Sequence, residues 1–98
     1  MTVTKADLVE KITSHVAPNI TKRDVARIVQ MFIDEICVTL KEGNRIEIRG
    51  FGVLNTKLRR PKIARNPKTK EPVSIPPRRV PVFKASRLLK ASLMKEEE

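Results

Sequence analysis

The sequence predicts an α+β fold, and three observations carry the prediction. Apolar residues recur at helical spacing through residues 1–43, alternate along a proline-broken stretch over 44–83, and return to helical spacing over 84–95. The basic residues are segregated: 49–95 hold fourteen bases against one acid, Glu71, whereas 1–48 hold seven of each sign. The 98 residues contain one cysteine and one histidine, so neither a disulfide within the chain nor a Cys/His zinc cluster can staple the fold.

Each element has its own signal. Thr4-Lys5-Ala6-Asp7 reads as a helix N-cap with an acid in the first turn, and Leu8, Val9, Ile12 and Val16 then share one face. Pro18 and Asn19 end that helix, and Thr21-Lys22-Arg23-Asp24 starts the next. Val25, Ile28, Val29, Phe32, Ile33, Ile36, Cys37 and Leu40 form a wide apolar stripe, and Gly43 stands where a C-terminal cap glycine belongs. Arg45-Ile46-Glu47-Ile48-Arg49 alternates as a half-buried strand does. Gly50-Phe51-Gly52 interrupts it, and residues 53–63 resume an extended character. A turn at 64–70 leads to a returning strand with Val73, Ile75, Val80 and Val82. Its Pro76, Pro77 and Pro81 exclude a central position along its whole length. Phe83 leads into a last helix with Ala85, Leu88, Leu89, Ser92 and Leu93 on one side, and Glu96-Glu97-Glu98 form an acidic tail.

One domain is expected, divided into a helical dimerisation part (1–43), a sheet with a protruding arm (44–83) and a C-terminal helix (84–95). With much of the chain given to the polar arm, little is left for a core, and oligomerisation is the remaining route to stability. No apolar run approaches the ~20 residues of a membrane span, and the N-terminus lacks the apolar stretch of a secretory signal. A cytoplasmic setting is expected.

The segment Lys57–Lys70 points to function. It holds Lys57, Arg59, Arg60, Lys62, Arg65, Lys68 and Lys70 with no acid and no aromatic. Such a segment resists burial, because each cation must stay hydrated or paired. It reads as a solvated arm that meets a polyanion, and the net charge of +10 fits a nucleic-acid partner.

At Ile48-Arg49-Gly50-Phe51-Gly52, Ala64-Arg65-Asn66-Pro67-Lys68-Thr69 and Val80-Pro81-Val82-Phe83-Lys84-Ala85 the chain resembles the bacterial HU / integration host factor family, over residues 3–94. The resemblance implies an intertwined dimer with two β-ribbon arms that enter the minor groove of double-stranded DNA. It makes Pro67 the intercalating wedge that kinks the duplex. Lys57, Arg59, Arg60, Lys62, Arg65, Asn66, Lys68 and Lys70 become arm and groove contacts. Lys5, Arg78, Arg79, Lys84, Arg87 and Lys90 become phosphate contacts, and Arg45, Glu47 and Arg49 candidate sequence readers. Arginine suits a narrow electronegative groove, lysine suffices for phosphates, and proline is a compact apolar wedge with little entropy to lose.

Three positions depart from the family pattern: Ala64, Lys70 and Ser86 stand where relatives carry glycine. Lys70 would lose on the order of 1 kcal/mol if forced to positive φ, so a looser or differently shaped turn is expected. Ser86 is expected to be a local packing change.

Phe51 and Phe83 are expected in the core rather than stacked on bases, and Phe32, Phe51 and Phe83 are assigned to the dimer core. Cys37 is expected to be buried and inert, and His15 to lie on the surface. Arg23 and Arg27 are expected to pair with nearby acids. Glu47 and Glu71 are isolated carboxylates, so no enzyme, metal or cofactor is expected. The expected function is that of a nucleoid-associated homodimer that binds duplex DNA largely without sequence preference and bends it. The alternative is a sequence-preferring bender like integration host factor. An RNA-binding, ribosome-associated basic protein and an adaptor docking through its arm are the rivals. A heterodimer with a second subunit stays open.

Overall fold

A computed structural model describes residues 1–96; Glu97 and Glu98 of the expected tail lie outside the described residues. The chain divides into two compact units, residues 1–38 and Thr39 onward.

The first unit holds α1 (Lys5–Val16) and most of α2 (Lys22–Lys41). Thr4 closes a reciprocal cap on α1: its hydroxyl accepts from the Asp7 N–H at 3.3 Å, and the Asp7 carboxylate accepts from the Thr4 N–H at 2.9 Å. Hydrogen bonding to the carboxylate by Thr4, through its backbone N–H first and its side chain second, holds the Asp7 carboxyl below its ordinary value. The cap therefore keeps this support above the ordinary carboxyl pKa and loses it as pH falls through the folded value. Thr21 accepts from the Asp24 N–H at 3.2 Å and starts α2 in the same manner. Lys22 pairs with Glu10 at 3.2 Å, an exposed pair of little energetic weight. The cation of this pair is Lys22, next to Arg23, rather than the Arg23 or Arg27 expected to pair with nearby acids.

The second unit opens with the end of α2. Gly43 has φ 85°, its N–H bonds Leu40 O at 3.0 Å, and the Asn44 N–H bonds Thr39 O at 3.1 Å. This paired arrangement satisfies the last carbonyls of the helix and needs the left-handed residue that glycine supplies. Strand β1 (Ile46–Ile48) pairs antiparallel with β2 (Gly52–Arg59), which pairs in turn with β5 (Arg78–Ala85). Gly50, at φ 81°, makes the turn between β1 and β2. A Cβ at Gly52 would lie 2.4 Å from Lys84 O and 2.7 Å from the Phe83 ring, so only glycine lets these strands approach. A separate two-stranded ribbon, β3 (Lys62–Arg65) with β4 (Pro72–Ile75), continues the arm. The ladder breaks at Arg60-Pro61 on one side and Pro76-Pro77 on the other, because proline donates no hydrogen bond. Pro81 is tolerated within β5 because β5 is an edge strand.

Helix α3 spans Arg87–Glu96, so Lys84 and Ala85, expected at the start of this helix, instead finish β5. The reason is local. The Ser86 N–H bonds Phe51 O at 2.9 Å, holding the chain on the sheet, and the Ser86 hydroxyl then accepts from the Leu89 N–H at 3.1 Å. Ser86 is therefore the N-cap of α3, a specific role rather than the neutral packing change expected.

Among the described residues only Val9 and Val25 are buried hydrophobics. The stripe of α2 is split lengthwise: Val25 is buried and Val29, Ile36 and Leu40 half-buried, whereas Ile28, Phe32, Ile33 and Cys37 are exposed. Cys37, expected to be buried, is thus a free and exposed thiol in the single chain. The apolar stripe is wider than one chain covers.

Candidate nucleic-acid interface

Three cations at the base of the arm share a defined face. Directly opposed residues of an antiparallel pair point to the same side, and the side alternates along each strand. The register sets Lys57 against Val80 and Arg59 against Arg78, so Lys57, Arg59 and Arg78 share one face. Arg59 and Arg78 oppose each other directly, an arrangement of like charges that disfavours the ribbon until an anion lies between them. Arg60 and Lys62 join Arg59 and Arg78 around an open cavity of about 510 Å³, completed by Val80 and Pro81. Beyond the proline break Lys62 pairs with Ile75 and Arg65 with Pro72, placing Arg65 at the last rung before the tip.

The tip is closed by its own hydrogen bonds. Asn66 N–H bonds Glu71 O at 3.0 Å, Lys70 N–H bonds Asn66 O at 2.7 Å, and the Asn66 side chain accepts from the Lys68 N–H at 2.9 Å. Pro67 is held at the corner, exposed. Lys70 takes φ 59°. The looser turn expected in order to spare Lys70 does not form; the closing bonds outweigh roughly 1 kcal/mol of left-handed strain. Ala64 lies in β3 opposite Val73 at an ordinary strand position, and makes no demand for glycine. Lys70→Gly should relieve the strain and slow hydrogen exchange of the amide at position 70. Exchange no slower than in the parent would show that Lys70 is unstrained there.

A second basic locus lies on the sheet. Arg45, Glu47, Arg49, Lys84 and Ser86 line one cavity of 380 Å³, with Gly50 and Gly52 in its wall. Strand β1 is only three residues long, so Arg45 and Arg49 flank it while Glu47 projects from its middle, exposed. The three alternating residues thus gather on one side, as the spacing requires, and Lys84 joins them from β5. Nearby, α3 begins with Arg87 and Lys90 in its first turns and has no acid in the first turn. Cations there oppose the positive end of the helix dipole, which a bound phosphate would reverse. Lys5, in the first unit, is exposed and donates to the Gln30 side-chain oxygen.

Arg79 differs from the rest. It pairs with Leu58 on the opposite face of the ribbon, and its Nη2 donates to Thr56 Oγ1 at 2.9 Å. The aromatic residues are also placed. The Phe51 and Phe83 rings pack on each other with centroids 4.9 Å apart, tilted by 38°, each still part-exposed. Sequence reasoning missed the bare apolar side chains of the arm, Leu58, Ile63 and Val73. Alternation alone could have found them, since a ribbon without a covering layer buries neither face.

Residues 3–94 match the family model described as bacterial DNA-binding protein. The chain is 41% identical over 90 residues to integration host factor subunit alpha of Phenylobacterium zucineum, covering 92% of this chain and 88% of that protein. It is 37% identical over 94 residues to integration host factor subunit beta of Dichelobacter nodosus, covering 96% and 97%. Among solved structures it is similar to the Anabaena HU–DNA cocrystal, with a TM-score of 0.86 at 27% identity over 93% of this chain and 97% of that one. An HU mutant from Thermotoga maritima shares the fold, with a TM-score of 0.67 at 22% identity over 93% of this chain and 99% of that one.

Proposed function

This chain belongs to the bacterial DNA-binding protein family of HU and integration host factor, and from that premise we propose how it grips and bends duplex DNA. It is an architectural DNA-binding protein. The observation that carries the reading is the cationic ribbon: Lys57, Arg59 and Arg78 share one face of it, Arg60 and Lys62 extend the cluster, and it ends in an exposed proline.

Two copies of the chain assemble, each covering the bare half of the other's α2 stripe, with Phe32, Phe51 and Phe83 in the shared core. A homodimer is the reading; pairing with a second subunit is the other outcome of a mass measurement on the native complex. Each arm follows the minor groove. Lys57, Arg59, Arg60, Lys62 and Arg78 neutralise phosphates along its walls, and Leu58, Ile63 and Val73 lie against the sugars. Arg65 enters the groove, Asn66 holds the tip, and Lys68 and Lys70 flank it. Pro67 inserts between base pairs. Lys84, Arg87, Lys90 and Lys5 hold the flanking phosphates, so that bending gains contacts it would otherwise lack. Among the described residues no helix is long and apolar enough to cross a membrane, and the working location is the nucleoid. No catalytic step is assigned.

A second reading rests on the gathering of Arg45, Glu47, Arg49 and Lys84 around one cavity. Arginine and glutamate can read base edges, which would make the protein a sequence-preferring bender. The test is a salt-dependent titration on unrelated end-labelled duplexes, with structured RNA as competitor, reading affinity and end-to-end distance together. Similar affinities with shortening support the general reading. One duplex favoured by about a thousandfold supports the second. No shortening on any duplex would remove the architectural role and favour RNA. In the same assay Lys84→Ala should weaken binding to every duplex alike and lower the salt slope by about one. Loss confined to one duplex would make Lys84 a reader of sequence.

A further inference from the structure

We propose that Arg79 is a strut at the root of the arm, a positioning residue that sets the direction in which the ribbon leaves the sheet, and not one of the phosphate contacts. The inference rests on the DNA-bending role above and goes beyond it.

Three observations place Arg79 apart from the other arm cations. The register puts it on the face of Leu58 and Thr56, opposite the face shared by Lys57, Arg59 and Arg78. Its guanidinium is engaged within the protein, donating from Nη2 to Thr56 Oγ1 on the neighbouring strand at 2.9 Å. The same group approaches the loop after α2: a Cβ at Gly43 would be 3.3 Å from Nη1, 3.4 Å from Nη2 and 3.8 Å from Cζ. Gly43 caps the C-terminal end of α2, where the helix dipole is negative and attracts a cation.

One side chain therefore joins β5, β2 and the end of α2. The ladder between β2 and β5 resists splaying of the strands but not tilting of the pair, and Arg79 adds a tie against tilting. The planar guanidinium suits this role, because it can lie on a glycine backbone while donating sideways; an ammonium group cannot do both. Gly43 has no side chain to hold the guanidinium away. A phosphate contact, by contrast, asks only for charge at suitable reach.

These demands separate in the titration on an end-labelled duplex, run with the full-length protein and with Arg79→Ala, Arg79→Lys, Arg78→Ala and Thr56→Val. The expected result is that Arg79→Ala keeps the salt slope of the parent while shortening the duplex less at saturating protein. Arg79→Lys, which keeps the charge, does not rescue the shortening. Thr56→Val, which changes no charge and keeps a β-branched side chain, reproduces part of the loss even if Arg79→Ala fails to fold. Arg78→Ala lowers the slope by about one. The proposal is overturned if Arg79→Ala also lowers the slope by about one and Arg79→Lys restores both slope and shortening. It is overturned equally if Thr56→Val bends as the parent does. A parent protein that binds without shortening the duplex would overturn the bending role itself, and the strut with it.

Discussion

Pro67→Ala should leave the protein bound to DNA and the DNA much straighter. The tip does not depend on proline for its closure: its bonds run between Asn66 and Glu71, Lys70 and Asn66, and Lys68 and the Asn66 side chain. Alanine at position 67 leaves every one of these in place and removes no charge. The phosphate contacts, which supply most of the affinity, therefore persist, and the loss of affinity should stay within about tenfold, or ~1.4 kcal/mol. What should disappear is the rigid apolar body that, as a wedge, would hold two base pairs apart. Minor-groove architectural proteins, HU and integration host factor among them, kink the duplex by roughly 20–90° through such wedges. Most of that angle should be lost from the end-to-end distance measured at saturation. Equal bend angles in mutant and parent would sink the wedge and leave Pro67 a turn residue.

Phe32→Asp should have the other large effect, on assembly. Phe32 is 58% exposed in the single chain, as are Ile28 and Met31 beside it. A lone chain would lose little by the exchange. A dimer that covers this face would instead bury two carboxylates, one from each copy, at several kcal/mol apiece. Dissociation should be promoted by about a thousandfold or more, which corresponds to ~4 kcal/mol. Because the described residues of one chain bury only Val9 and Val25 as hydrophobics, the separated chains should also lose their helical structure. Sedimentation equilibrium with far-ultraviolet circular dichroism reads both effects. A variant that stays dimeric at the concentration where the parent does would place Phe32 outside the interface.

The two outcomes bear on different halves of the molecule. On the proposed reading, bending would rest on one exposed side chain at the end of a ribbon, whereas assembly would rest on an apolar face distributed over a helix. A loss of bending with assembly intact, and a loss of assembly with the tip untouched, would show that these functions are carried by separate residues.

Much of the fold was legible because its signals are local. Thr4 and Asp7 announce a cap that forms as written, Gly43 ends α2, and the change from helical to alternating spacing marks the passage from α2 to β1. The cationic character of the arm was equally plain, since a run of bases with no acid needs no tertiary information to be recognised. Less legible were positions whose meaning depends on a partner distant in sequence. Ser86 caps α3 only because Phe51 O holds its amide on the sheet. Lys84 joins Arg45, Glu47 and Arg49 only because β5 carries it to their side. The strain at Lys70 could be anticipated, but not that the tip would accept it, since that balance lies in hydrogen bonds spanning the turn.

By itself the sequence determined which segments are helix and which are ribbon, where the positive charge lies, and that proline stands at the turn. Those properties follow from side-chain spacing, backbone restriction and charge, all of which act over a few residues. Tertiary structure alone decided which cations share a face, which arginine bonds across to Thr56, and how much apolar surface a single chain leaves bare. Strand register sets the first two, because a shift of one residue reverses every side chain. The third follows from a stripe on α2 that is wider than the surface one chain can bring against it.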